Sequence, residues 1–241
     1  MFFLRPTFRL ALARLGILGL LLVPAIAQET TEAKQEAAIM MRVIGSQPVD
    51  GATALKIVQG EQIMQDLTVI PSLVTDPIPV KRGALSLAKY TGSDKTLVLD
   101  PVVNITIPEA GTRFVLALFP SPDPKPASPY RHLLIRTDGL KFDTSDLYLH
   151  NLTAVPVAGL LGKTKFQLAP AKSTVATPSP EPAGERMYQA QFYFQRDGEA
   201  YIFNDTRWPL ASSARVYLFF IPDPVRQSMG YVSFREYSPF P

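Results

Sequence analysis

The stretch RFVLALFPSPDPKPASPYRHLLIR occupies residues 113–136, and a similar stretch, RVYLFFIPDPVRQSMGYVSFRE, occupies residues 215–236. Each begins with an arginine, continues as a short apolar run, breaks at Pro-Asp-Pro and resumes at a tyrosine that opens a second strand-like run. A repeat of about 100 residues has the length of one small β-sandwich, so the two stretches predict a duplicated domain with a central hairpin. Matching positions lie 100 to 102 residues apart, as in the pairs Arg113 and Arg215, Asp123 and Asp223, and Tyr130 and Tyr231.

The rest of the chain extends this β-pattern on both sides of the two stretches. From Met41 onward, short runs rich in β-forming residues alternate with turn residues, and no later segment shows sustained helical periodicity. Asp138-Gly139 is a turn signal between the two repeats. The sequence therefore predicts an all-β protein with two tandem antiparallel β-sandwich domains, at residues 42–138 and 139–241.

Two runs are expected to be the most buried in their domains. FVLALF at residues 114–119 and VYLFFI at residues 216–221 are apolar on both faces, which a strand tolerates when both of its faces are covered. By contrast, MYQAQFYF at residues 187–194 alternates in the period-two pattern of a half-buried strand. The predicted core residues of the two apolar runs are Leu116 and Leu118 in the first domain and Leu218 and Phe220 in the second.

The first 27 residues have the pattern of a signal peptide. A basic segment is followed by the apolar run LGILGLLLV, and residues 24–27, Pro-Ala-Ile-Ala, end in the small-x-small pattern of a cleavage site. Cleavage between Ala27 and Gln28 is expected, which leaves residues 28–41 as a spacer or short helix. The apolar run is much shorter than the roughly 20 residues that span a bilayer, so the mature chain is predicted to be exported, periplasmic or extracellular, with no stable membrane span.

Charge and cysteine content narrow the class of protein further. Removing the three leader arginines, Arg5, Arg9 and Arg14, leaves 21 basic and 21 acidic side chains, so no net charge attracts nucleic acid. The chain contains no cysteine. Disulfides, a cysteine-linked lipid anchor and a cysteine nucleophile are therefore excluded, and the mature protein must be stabilised by core burial.

A second set of residues resembles a known group of proteins. The segment LYLHNLTAVPVAGLLGKTKFQLAP, together with the ending RWPLASSARVYLFFIPDP, resembles exported bacterial proteins built of tandem immunoglobulin-like units. In those proteins an N-L-[ST]-x-x-P-V strand pair opens the second unit, and a W-P turn precedes the last hairpin. The resemblance implies the fold and the compartment, and it implies no activity, cofactor or ligand.

The sequence contains no motif that indicates a catalytic or metal site. His132 and His150 have no second ligand-type residue at a metal-binding spacing, and the chain has no phosphate-binding glycine loop and no nucleophile elbow. Asp123 and Asp223 could be interpreted as a pair of cooperating carboxylates. However, equivalent loops of two duplicated domains lie at separate tips, usually too far apart to act together. Their aspartates are better explained by turn formation. We therefore expect no catalytic residues, no metal and no cofactor.

Four aromatic residues are the candidates for ligand binding. Trp208 is the only tryptophan of the chain, and with Tyr188, Tyr193 and Tyr201 it could form a platform that stacks on sugar rings. The alternative is that Trp208 closes the end of the sandwich. The sequence predicts a non-catalytic, exported binding or structural module of the cell envelope, with an envelope protein or a glycan as its partner. The alternative function is a carbohydrate-binding module centred on Trp208, and the oligomeric state stays open.

Overall fold

Every regular element in the described part of the chain is a β-strand, as the composition of the short runs predicts. The computed structural model describes residues 38–46, 54–91, 98–121, 128–180, 182–223, 226–237 and 239. The first eight strands are β1 Ile39–Gly45, β2 Ala54–Gln59, β3 Gln62–Thr68, β4 Ile78–Val80, β5 Gly83–Thr91, β6 Val98–Ile107, β7 Arg113–Pro120 and β8 Tyr130–Arg136. The second eight are β9 Leu147–Asn151, β10 Val157–Leu161, β11 Thr164–Leu168, β12 Ser173–Ala176, β13 Met187–Arg196, β14 Glu199–Pro209, β15 Arg215–Asp223 and β16 Ser228–Glu236.

The sixteen strands form four four-stranded sheets, two in each half of the chain. The first half contains the sheets β3-β2-β5-β6 and β4-β1-β7-β8, and the second half contains β11-β10-β13-β14 and β12-β9-β15-β16. The strand order of the second half repeats that of the first with every number raised by eight. The predicted all-β fold with two tandem sandwiches is thereby confirmed, whereas the duplication of an ancestral domain stays a prediction.

One strand pair in each half differs from the antiparallel arrangement that the sequence predicted. β1 pairs with β7 in parallel, and β9 pairs with β15 in parallel. Strands joined by a tight hairpin must be antiparallel, but each of these pairs is joined through five intervening strands, four of which form the other sheet. The later strand of each pair can therefore run beside the first strand in the same direction.

Each half buries its own core between its two sheets. The core of the first half includes Leu116 and Leu118, and the core of the second includes Leu218 and Phe220. All four side chains are fully buried. The predicted core residues of the two apolar runs are therefore confirmed.

The opposite faces of the same two runs form a third core. Phe119 of β7 and Phe219 of β15 meet edge to face with ring centroids 4.9 Å apart. Around them pack residues from both β4-β1-β7-β8 and β12-β9-β15-β16, which we call the inner sheets; the other two are the outer sheets. Because the inner sheets cover each other, FVLALF and VYLFFI are apolar on both faces. Residues 37–241 accordingly form one compact unit.

A buried ionic cluster lies beside this third core and joins the two inner sheets. The Glu236 carboxylate is paired with Arg215 through one oxygen and lies 3.3 Å from Nε of Arg42 through the other. The Tyr217 hydroxyl donates a hydrogen bond of 2.9 Å to the same carboxylate. Burial, together with the neighbouring Glu236 charge, holds the pKa of Tyr217 well above its ordinary value, so this hydroxyl remains a donor. Arg42 belongs to β1 and the other three to β15 and β16, so the cluster connects the halves.

Several predictions concern residues outside the described part of the chain. These are the signal peptide at residues 1–27, the cleavage point at Ala27 and Gln28, and the loop that contains Asp123. The spacer predicted at residues 28–41 is described only from residue 38, and its last three residues belong to β1. Among the described residues, no helix is long and apolar enough to cross a membrane.

Candidate ligand-binding cleft

The second sandwich has an open side where the edge strand β14 of its outer sheet faces the edge strand β16 of its inner sheet. Side chains of β16 alternate: Val232 and Phe234 face the third core, so Tyr231, Ser233 and Arg235 face the other way, toward the outer sheet. We call the resulting space of 160 Å³ the open-side cleft. Its lining residues are Leu147, Tyr188, Trp208, Pro209, Ala211, Val216, Tyr231, Ser233 and Arg235.

Two aromatic rings in contact with each other form one aromatic wall of the cleft. Trp208 and Tyr231 lie with ring centroids 5.3 Å apart and ring planes inclined by 54°. The indole is held in place from two sides, because its Nε1 donates a hydrogen bond of 2.9 Å to Thr206 and its ring meets Phe192 edge to face at 5.3 Å. Trp208 is only half-buried. A fixed, half-exposed aromatic ring can stack on a ligand with little loss of conformational entropy.

Tyr188 lies deeper in the cleft, on β13 directly opposite Trp208. Its side chain is only 4% exposed, and burial raises its pKa to about 12, although the Arg235 charge acts in the opposite direction. Within the part of the chain that the structure describes, the Tyr188 hydroxyl has no hydrogen-bond partner. The ring is buried but the hydroxyl oxygen is accessible at the cleft, so this group is available to a ligand there.

The rim of the cleft is polar and positively charged. Ser233 and Arg235 are both exposed, and none of the described residues that line the cleft is acidic. Glu236 follows Arg235 in sequence but points to the opposite face, where it is occupied by Arg215 and Arg42. Among described residues, no carboxylate is paired with Arg235.

The structure brings two of the four predicted platform residues together and separates the others. Trp208 and Tyr188 are neighbours, with centroids 6.3 Å apart. Tyr193 is on the opposite face of β13, since Phe192 and Phe194 on either side of it are buried in the sandwich. A ligand in the cleft therefore cannot contact Tyr193.

Tyr201 is at the far end of β14, close to the hairpin that joins it to β13. It stacks on Phe194 at 5.6 Å, and the Arg196 guanidinium lies 4.9 Å from its ring centre. Seven residues separate it from Trp208 along the strand, roughly 23 Å at the usual rise per residue. A ligand the size of one ring cannot bridge the two, so a single four-residue platform is not formed.

Three lining residues of the cleft, Tyr231, Ser233 and Arg235, were not predicted from the sequence as site residues. The position of β16 opposite β14 across the open side could not be predicted from the sequence, because the two strands belong to different sheets. The available signal is the alternation in YVSFRE, where an aromatic, a hydroxyl and a cationic side chain share one strand face.

The two histidines and Asp223 lie away from the cleft. His132 is exposed on β8, and His150 is buried beside Tyr148 at the rim of the third core. Burial, and then the nearby Arg131 charge, lower the pKa of His150 and keep it neutral. Asp223 accepts a hydrogen bond from the backbone of Arg226 in its own turn. In the described ranges, no three His, Cys, Asp or Glu side chains are grouped as metal ligands.

Comparisons with known proteins do not assign the chain to a family. No protein-family model matches it, and no curated protein is similar to it. The resemblance to exported tandem-sandwich proteins and the expected envelope partner therefore stay predictions, and the functional argument rests on the geometry of the open-side cleft.

Proposed function

We propose that this protein is a non-catalytic, exported binding module of the cell envelope that holds a ligand in the open-side cleft of its second sandwich. The observation that carries the proposal is Tyr188, whose ring is almost fully buried and whose hydroxyl opens onto the cleft and has no partner among the described residues. A hydroxyl that opens onto the cleft without a protein partner can form one hydrogen bond with a ligand, which contributes about 0.5 to 1.5 kcal/mol.

A carbohydrate is the ligand class that the cleft walls favour. One face of a pyranose ring presents mainly C–H groups, which pack on an aromatic ring, while its hydroxyls point outward and form hydrogen bonds. Trp208 and Tyr231 supply the aromatic surfaces, and Tyr188 and Ser233 supply hydroxyl groups nearby. This combination of apolar walls and a few convergent polar groups is typical of small-molecule sites.

Export is part of the proposal and has its own test. Protein recovered from the envelope or the medium of the native host is expected to begin at Gln28, because signal peptidase requires small residues at Ala25 and Ala27. N-terminal sequencing measures this directly. Replacing Ala25 and Ala27 by leucine should leave the leader attached, and a protein that keeps its full N-terminus without these changes would contradict export by cleavage.

Ligand binding is expected to change the fluorescence of Trp208. Because the chain has a single tryptophan, the whole indole signal reports on the cleft. Titration with monosaccharides and with cell-wall and plant oligosaccharides should give a saturable change. Tyr188→Phe should weaken the binding about 2- to 10-fold, the equivalent of one hydrogen bond of 0.5 to 1.5 kcal/mol.

Tyr193→Phe is the matched control, because it removes the same hydroxyl from the opposite face of the same strand. Its hydroxyl donates to Gln191 at 3.0 Å and does not reach the cleft. The affinity of this variant should equal that of the wild type. Absence of any fluorescence or calorimetric response to every saccharide would refute the carbohydrate proposal, and equal losses in both variants would place the ligand elsewhere.

A further inference from the structure

We infer that the open-side cleft selects an acidic sugar, a single uronic-acid ring, whose carboxylate pairs with Arg235. This inference rests on the proposed function, since it names the ligand class of the same cleft. It uses three residues of β16 in sequence order: Tyr231 at the aromatic wall, Ser233 in the middle and Arg235 at the rim.

The size of the cleft limits the ligand to about one ring. Its volume is 160 Å³, whereas pockets for drug-sized molecules are about 300 to 1,000 Å³. The cleft is bounded on its long sides by β14 and β16, and Trp208 and Tyr231 narrow it. One sugar ring of a polysaccharide fits this space, and the rest of such a polymer would extend into solvent.

The charge around the cleft favours an anion. Arg235 is exposed at the rim, no acidic residue lines the cleft, and among the described residues no carboxylate is paired with the Arg235 guanidinium. Its neighbour Glu236 is enclosed on the opposite face by Arg42 and Arg215 and cannot neutralise it. A guanidinium with free donors binds a carboxylate through two parallel hydrogen bonds.

The spacing along β16 matches the dimensions of a uronic acid. Tyr231 and Arg235 are two strand repeats apart, roughly 13 Å between their Cα atoms, and both long side chains can lean toward the ring between them. A ring stacked on Trp208 then has Ser233 and Tyr188 beside its hydroxyls. Its C6 carboxylate, which extends from the ring edge, can point toward Arg235. A carboxylate on an acyclic molecule, such as glutamate, would pair with Arg235 but would present no ring to the aromatic wall.

The test compares two ligands that differ only at C6, methyl glucuronoside and methyl glucoside, by titration of Trp208 fluorescence and by calorimetry. We expect the glucuronoside to bind roughly tenfold more tightly, the size of one charge-assisted contact at a partly exposed site. Arg235→Gln should remove this preference, and Arg235→Lys should retain part of it. Arg207→Gln is the control, because Arg207 is exposed one position before Trp208 on the opposite face of β14.

The outcomes separate the inference from the proposed function. Equal affinities for the two glycosides would overturn the acidic-sugar inference and leave carbohydrate binding intact. Binding of free glutamate as tight as that of the glucuronoside would show that the carboxylate suffices, which overturns the sugar assignment. No response to either glycoside by fluorescence or calorimetry would overturn the acidic-sugar inference, and silence toward the whole saccharide panel would overturn carbohydrate binding as well. An equal loss of preference in Arg207→Gln and Arg235→Gln would overturn the role of Arg235.

Discussion

Replacing Phe219 by alanine is expected to lower the free energy of unfolding by about 3 to 5 kcal/mol, the usual cost of deleting a buried aromatic side chain. Phe219 is fully buried in the third core, 4.9 Å from Phe119 and 6.0 Å from Phe234 between ring centroids. Because this core is shared by the two inner sheets, both sandwiches should lose protection together. Urea denaturation measures the free energy, and hydrogen exchange measured strand by strand shows where protection is lost.

The matched control is Leu116→Ala. Leu116 is also fully buried, but it lies in the core between the two sheets of the first half. Its replacement should cost about 2 to 5 kcal/mol, and the loss of protection should be strongest in β1 to β8. If Phe219→Ala destabilised only the second sandwich, the shared core would not hold the halves together in solution.

Phe119→Ala should reproduce the effect of Phe219→Ala from the other side of the interface. The two rings contact each other. Either substitution alone therefore removes the stabilisation that comes from this ring–ring contact. The double variant should therefore lose less than the sum of the single losses, by 0.5 kcal/mol or more. Strict additivity would indicate that the two rings do not interact.

Replacing Glu236 by alanine is expected to be as damaging, at about 3 to 5 kcal/mol, although it removes only a short polar side chain. Glu236 is 1% exposed and faces two arginines that are each 7% exposed. Removing its carboxylate takes one ion pair from each of two buried guanidinium groups, and breaking a buried ion pair by removing one partner is strongly destabilising. The Tyr217 hydroxyl would lose its acceptor as well.

The control for this prediction removes all three charges together. A variant with Arg42→Met, Arg215→Met and Glu236→Leu should recover most of the stability lost in Glu236→Ala, because apolar residues of similar volume often replace a buried ionic cluster at no net cost. Thermal and urea unfolding of the two variants measure the difference. If Glu236→Ala were within 1 kcal/mol of the wild type, the cluster would be solvated and would not join the sheets.

The core positions were predictable because strand patterns are local. A strand that alternates apolar and polar residues has one buried face, and MYQAQFYF shows this pattern and lies with Tyr188, Ala190, Phe192 and Phe194 inside the sandwich. FVLALF and VYLFFI were correctly expected to have both faces covered. The sequence did not reveal that each run covers the other, since nothing local specifies which surface meets the second face of a strand.

The candidate site was less predictable than the fold. Trp208 and Tyr188 were identified and are neighbours, because they lie on paired positions of one hairpin. Tyr193 and Tyr201 were grouped with them because they are close in sequence. Tyr193 lies on the other face of β13 because side chains alternate along a strand, and Tyr201 lies near the opposite end of β14 from Trp208. Tyr231, Ser233 and Arg235 come from a different sheet, and only the closing of the sandwich brings them to Trp208.

By itself, the sequence determined the strands, their buried faces and the absence of cysteine chemistry, because these depend on residue type and on a period of two along the chain. The tertiary structure decided which faces and edges meet. It packed Phe119 against Phe219, enclosed Glu236 between Arg42 and Arg215, and left Arg235 facing the open-side cleft. The physical reason is that burial of apolar area is non-directional, so the pairing of surfaces distant in sequence is chosen by the shape and charge complementarity of the whole fold.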